Sequence, residues 1–269
     1  MADHFQQRVT FTHELADAAG EVIRPYFRRR VEVSNKGVGG FYDPVTEADR
    51  RAEQAIRSHI ASRFPQDAII GEEFGETPGT SGFVWVIDPI DGTRAFLAGQ
   101  PLWGTLIALE HERRSVIGIL DQPFLHERFI GYGGKTEFRD AQGLAQLNTR
   151  ACPRLADAVI STTHPLTHFT EEERAKFRRV ERECRLSRYG GDCYAYGLLA
   201  MGFIDLVIEA GLKHWDIAAI LPIVEGAGGI LTGWSGESVA HGGSVVAAGD
   251  RRTHAQAVQL LSGPSPAAE

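Results

Sequence analysis

Cysteine is scarce in this chain, with three in 269 residues, at Cys152, Cys184 and Cys193. They form no CxxC pair and leave an odd count, which does not suit a secreted disulfide scaffold and fits a reducing compartment. Long apolar runs are absent. No stretch approaches the ~18 apolar residues that a membrane helix needs. The opening MADHFQQRV lacks the charged and apolar regions of a signal peptide. The expectation is a soluble, cytoplasmic protein with no membrane partner. Blocks of positive charge are also missing from a chain of net charge −7. The densest, Arg28-Arg29-Arg30, falls at the end of a predicted helix, where cations suit the negative end of the dipole. No nucleic-acid partner is expected. No GxxxxGK[ST] or GxGxxG follows a strand, so a nucleotide-binding loop is unsupported. No internal repeat is visible.

What is present is ordinary for a soluble globular protein, at 43% hydrophobic and 23% charged residues. A chain of this length forms one large domain or two small ones, and folding buries roughly 70–75% of its unfolded surface. Phe5, Val9, Leu15, Ala19, Val22, Ile23, Tyr26 and Phe27 recur at helical spacing over residues 4–30, with Asp3 and Gln6 placed as a capping box. A glycine-rich stretch follows at residues 36–40. A second helix is expected from Thr46 to just before Pro65. Strands are then expected at 68–70, 83–87, 105–109, 116–120 and 128–132, which predicts helices against an antiparallel sheet. Beyond about residue 150 the pattern alternates, with strands at 158–161, 205–209 and 244–248. Helices are expected at 170–184, 192–203, 216–227 and 253–261, which predicts an α/β layer. The last residues, from Ser262 to Glu269, are expected to fray.

The sharpest local feature is Asp88-Pro89-Ile90-Asp91-Gly92-Thr93, which follows the apolar run Val84-Trp85-Val86-Ile87. Pro89 favours extended geometry at Asp88, and Gly92 permits a tight turn. A helix beginning at Thr93 would offer free amides to a phosphate. Magnesium takes hard oxygen ligands beside substrate phosphates, so Asp88 and Asp91 could share ions. A DxxD is also compatible with a capped turn. Glu72-Glu73 follows an apolar strand, Asp216 begins a helix after Trp215, and Asp49 lies in a first helical turn. Each has a plain structural alternative as a helix cap or a solvated turn. Spacing alone does not bring these acids together.

Asp43-Pro44-Val45-Thr46-Glu47-Ala48-Asp49, Gly71-Glu72-Glu73, Asp88-Pro89-Ile90-Asp91-Gly92-Thr93 and Trp215-Asp216-Ile217-Ala218-Ala219 resemble, in order, the signatures of the inositol monophosphatase family. The resemblance runs from about residue 10 to about residue 260. It implies a layered α/β/α/β/α sandwich. Residues 1–150 would form an α+β half carrying most metal ligands, and residues 151–269 an α/β half carrying Asp216 and the substrate-recognition residues. It implies Mg²⁺ as cofactor, two or three ions per site, with lithium as inhibitor, and a homodimer. Glu72, Asp88 and the Ile90 carbonyl would hold one ion; Asp88, Asp91 and Asp216 would hold a second. Glu72 and Thr93 would position and activate the attacking water, Asp49 would hydrogen-bond Thr93, and the amides of Gly92 and Thr93 would bind phosphate.

Within that family, the segments Gly99 to Leu109 and Tyr189 to Leu198 resemble the histidinol-phosphate phosphatase branch. Asp192 stands where inositol phosphatases usually carry a small residue, and an added carboxylate suits a cationic substrate such as L-histidinol phosphate. Asp192 could also cap the helix that follows. Glu209 falls at a substrate-contacting position of the family. The expected function is magnesium-dependent hydrolysis of a small alcohol phosphate in histidine synthesis. The alternatives are a broader inositol or sugar monophosphatase and a non-catalytic metal-binding regulatory protein. The glycine-rich loop after Lys36 departs from the branch pattern and leaves the role of Lys36 open. Arg94 could contact substrate or lie on the surface. His164 and His168 are four apart, but Pro165 between them argues against a metal pair on a helix.

Overall fold

The structure is a computed structural model that describes residues 2–36 and 44–263. Asp43, the glycines at 37, 39 and 40, and the tail beyond 263 lie outside the described residues. Helix α1 (Ala2–Ile23) buries Val9, Leu15, Ala16, Ala19 and Ile23 along one stripe. It starts at Ala2, so Asp3 lies inside the first turn and not at the expected cap. It also stops well short of residue 30, because Pro25 has no amide for the helical ladder and disfavours helical geometry at Arg24. Helix α2 (Glu47–Arg63) begins at the predicted place, with Thr46 and Asp49 forming a capping box.

Strands β1 (Val33–Asn35) and β2 (Pro44–Thr46) pair with each other. Then follow β3 (Ala68–Gly71), β4 (Gly75–Thr77), β5 (Phe83–Asp91), the short helix α3 (Thr93–Leu97), β6 (Gly104–His111), β7 (Arg114–Gln122), β8 (Glu127–Tyr132), β9 (Lys135–Asp140) and β10 (Gly143–Gln146). They make an eight-stranded sheet in the order β10-β9-β8-β7-β6-β5-β3-β4. The expected antiparallel pairing holds except between β3 and β5, which run parallel. The second half contributes β11 (Val159–Thr162), α4 (Glu171–Glu183), β12 (Leu186–Tyr189), α5 (Tyr194–Ala200), β13 (Leu206–Leu212), α6 (His214–Ala218), α7 (Ile220–Gly226), β14 (Ile230–Gly233), β15 (Gly243–Ala248) and α8 (Arg251–Ser262). Its five-stranded sheet has the order β12-β11-β13-β15-β14.

The layers are α/β/α/β/α. One core lies between α1, α2 and the first sheet, around Leu15, Ile56, Trp85 and Ile107. A second lies between the sheets, where Leu120, Phe129 and Val207 meet Leu199, Ile217 and Ile223 of α5, α6 and α7. The third covers the outer face of the second sheet, with Phe177 of α4 and Leu261 of α8. The helix expected over 216–227 is broken at Ala219, since Pro222 has no amide for the Ala218 carbonyl. Its second piece, α7, packs directly on strand backbone. A Cβ added at Gly118 would lie 2.1 Å from the Ala219 carbonyl oxygen, and one at Gly131 would lie 2.2 Å from that of Pro222.

Candidate active site

Parallel pairing explains how acids distant in sequence become neighbours. Gly71 of β3 lies opposite Ile87 of β5, so Glu72, just past the end of β3, and Asp88 of β5 follow side by side. The β5 register against β6 shifts between Asp88 and Asp91. That bulge breaks strict alternation and lets both carboxylates face one cleft. Gly92 follows at φ +83°, the left-handed region that favours glycine, and α3 starts with no side-chain cap. A Cβ at Gly92 would come within 3.0 Å of the Asp192 side chain. Across the cleft, α6 packs on β5 and β6 and brings in Asp216, whose Oδ2 also accepts from the Lys213 amide at 2.7 Å.

The cleft measures about 490 Å³, and Glu72, Asp88, Ile90, Asp91, Gly92, Thr93, Asp192, Glu209 and Asp216 all line it. Asp88, Asp91 and Asp216 each offer an oxygen within 4.8 Å of the others. Burial first, then repulsion from Glu72, Asp91 and Asp216, pushes the Asp88 carboxyl well up. Asp91 is raised by burial, against a hydrogen bond of 2.8 Å from the Cys193 amide to its Oδ2. Burial and then Asp91 raise Asp216. At this spacing each like-charge pair costs roughly 3–4 kcal/mol at an effective dielectric near 20. Hard oxygen donors, crowded and desolvated, fit divalent cations, which would relieve that repulsion.

The other expected residues divide. Thr93 lines the cleft, and its hydroxyl donates to the Ile90 carbonyl at 3.1 Å. The bond expected between Asp49 and Thr93 is not formed. Asp49 does not line the cleft; its Oδ2 accepts from the Thr46 amide at 2.9 Å and the Thr46 hydroxyl at 2.6 Å. Burial, with Glu72 adding repulsion, lifts Asp49 to about 6. Asp192 does not cap the helix after it. The residue preceding α5 is Cys193, with no side-chain cap bond, and Asp192 has φ +42° on the cleft wall. Burial, then the charge of Asp91, raises it to about 7, with Arg94 opposing. Glu209 on β13 is 3% exposed. Because β11 and β13 run parallel, it faces Thr162 and Thr163. It accepts from the Thr163 amide at 2.6 Å and from the hydroxyls of Thr163 and Thr162 at 2.9 and 3.2 Å. Burial pushes it up to about 8.

Lys36 donates to Glu72 at 2.7 Å and to Glu73 at 2.6 Å. Burial lifts Glu73 to about 7 against that ammonium. Arg94 also lines the cleft, with Nη1 2.8 Å from His168 Nε2. Burial and that guanidinium push His168 down to about 4, a pairing unsuited to the metal role already disfavoured for it. Tyr196 was missed as a site residue. Its hydroxyl is buried in the cleft wall with no hydrogen-bond partner among the described residues, although it stood within the segment that pointed to Asp192. Thr163 and Lys213 carried no sequence signal.

The profile of the inositol monophosphatase family matches residues 5–263. The bifunctional phosphatase IMPL2 of Arabidopsis thaliana, chloroplastic, is 45% identical over 92% of this chain and 72% of its own length. The histidinol-phosphatase of Chlorobaculum parvum is 36% identical over 87% of this chain and 89% of its own. A solved inositol monophosphatase from Zymomonas mobilis is 41% identical, with a TM-score of 0.85 over 96% of this chain and 99% of that one. A family profile that spans nearly the whole chain, relatives at this identity and a shared layered fold agree: the chain belongs to the inositol monophosphatase family of phosphatases.

Proposed function

We propose that the chain hydrolyses a small alcohol phosphate with magnesium, and that its substrate is L-histidinol phosphate. The observation that carries this reading is one cleft with an acidic end at Asp88, Asp91 and Asp216 and two further carboxylates on its wall, the half-buried Asp192 and the buried Glu209. The acidic end suits cations and the phosphoryl group; the wall suits an ammonium. Relatives named histidinol-phosphatase support the choice.

Glu72, Asp88 and the Ile90 carbonyl would hold one ion, and Asp88, Asp91 and Asp216 a second. Bound magnesium supplies positive charge for the phosphoryl oxygens and makes water more acidic. Thr93 and Glu72 orient the attacking water, and Glu72 takes its proton. The water oxygen forms a bond to phosphorus as the bond to the alcohol oxygen breaks, and the departing alcohol oxygen takes a proton from solvent water. Amides of Gly92 and Thr93 hold the phosphate. Asp49, bonded to Thr46 and not to Thr93, holds the start of α2. Asp192 and Glu209 hold the alcohol portion. The broader reading draws on the inositol-1-monophosphatase of Mesorhizobium japonicum, 33% identical over 81% of this chain. Phosphate release from a panel of L-histidinol phosphate, inositol 1-phosphate and neutral sugar phosphates, each with magnesium, tests the choice. A preference for histidinol phosphate is expected; equal or better turnover of inositol phosphate would give the broader reading.

A further inference from the structure

Glu53 lies on α2, fully buried, and its carboxylate does not line the cleft. It reaches instead beneath the loop that carries Glu72 and Glu73. Its Oε2 accepts from the Glu73 amide at 2.8 Å. Its Oε1 accepts from the Phe74 amide at 3.2 Å and from Arg57 Nε at 2.7 Å. Arg57 goes on to donate to the Thr77 hydroxyl at 2.9 Å and to the Gly75 carbonyl. The amide of Glu72 itself donates to the Ile87 carbonyl of β5 at 3.2 Å. Three successive amides are therefore fixed, one by the sheet and two by one buried carboxylate. Gly71 completes the unit. A Cβ there would lie 2.0 Å from Glu53 Oε1, so the glycine before Glu72 leaves the space that Glu53 fills.

We propose that Glu53 is the positioning residue of the Glu72–Glu73 loop: locked by Arg57, it holds the backbone so that Glu72 meets Asp88 at the cation site. The inference rests on the reading of Glu72 as a cation ligand. A carboxylate is needed because its two oxygens serve three donors. A glutamine offers one acceptor and turns an NH₂ toward an amide or a guanidinium, leaving a buried donor unmatched.

The test is Glu53→Gln in the full chain, stripped of metal and titrated with Mg²⁺ by calorimetry, with steady-state kinetics alongside. Outer groups that orient ligands typically act at the level of about 10- to 100-fold in affinity or activity, and a loss of that size is expected in both Mg²⁺ affinity and kcat, with substrate KM little changed. Thr170→Ala, which removes a cap on the remote helix α4, should lower Tm without moving Mg²⁺ affinity, and so separates positioning from general destabilisation. If Glu53→Gln does not fold, Arg57→Lys carries the test; it keeps the charge, loses the fork, and should weaken Mg²⁺ binding in the same direction by less. Wild-type Mg²⁺ affinity and kcat in both variants would overturn the proposal, leaving Glu53 a packing residue. A wild-type chain that neither binds Mg²⁺ nor needs it would overturn the reading of Glu72 itself, a result distinguishable because it requires no variant.

Discussion

At the scale of single residues, the acids divide by what surrounds them. Asp91 is packed against Asp88 and Asp216, so replacing it with asparagine removes charge that a cation needs. Asp91→Asn should cut turnover by orders of magnitude and leave the fold intact, as checked by kcat beside circular dichroism. Thr93 faces the cleft from the first position of α3, and Thr93→Ala should lower kcat far more than it changes KM. Weakened binding at normal kcat would assign it to phosphate binding alone. Asp192 and Glu209 carry specificity in this account. A charge-assisted bond to an ammonium contributes about 1.5–3 kcal/mol, so Asp192→Asn should cost about ten- to 150-fold in kcat/KM for a cationic substrate and less for a neutral one. Equal losses on both would remove the charge argument. Asp91 and Thr93 stood out in the sequence because their motif follows an apolar strand; the gathering of Asp91 with Asp216 and the places of Asp192 and Glu209 were legible only through the family resemblance. The bond of Asp49 was not legible, since a capping box with Thr46 looks the same in sequence whichever way the carboxylate turns. Glu53 was not singled out, because its pair with Arg57 reads as an ordinary i,i+4 helix pair and its other partners are backbone amides, which sequence does not mark.

At the scale of elements, helices with strong caps were readable and edge strands were not. Thr170 and Glu173 close a capping box at the start of α4, as expected, and Thr170→Ala should cost about 0.5–2 kcal/mol in denaturant unfolding. Strands β4, β10 and β12 are short and largely exposed, so they show little of the apolar alternation that reveals a strand. The break between α6 and α7 was hidden because apolar residues continue through Ala219; only Pro222 marks it. The docking of α7 on β7 and β8 depends on tertiary contact that no periodicity reports. Gly131→Ala forces a methyl into the Pro222 carbonyl, and overpacking of this kind costs about 1–3 kcal/mol. Unchanged stability in Gly131→Ala protein would mean that α7 can shift away from the sheet at little cost.

At the scale of the whole molecule, a layered fold gathers carboxylates from the loop after β3 and from β5, α6 and β13 into one cleft, and stability should record the strain. Glu209 is raised by burial from 4.5 to about 8. An acid whose folded pKa lies above its unfolded value contributes stability that is complete below the unfolded pKa and lost as pH rises through the folded one. The metal-free protein should therefore lose Tm between about pH 5 and pH 8, and Glu209→Gln should flatten that slope. No helix among the described residues is long and apolar enough to cross a membrane. Lithium should inhibit by displacing one magnesium; activity indifferent to it would set this site apart from the inhibition expected of the family. The most direct measurement is phosphate release from L-histidinol phosphate by chelator-treated enzyme across a magnesium titration. The expected result is no release without the cation, recovery as magnesium is added, and no recovery in Asp91→Asn. Release at full rate in the presence of chelator would contradict it.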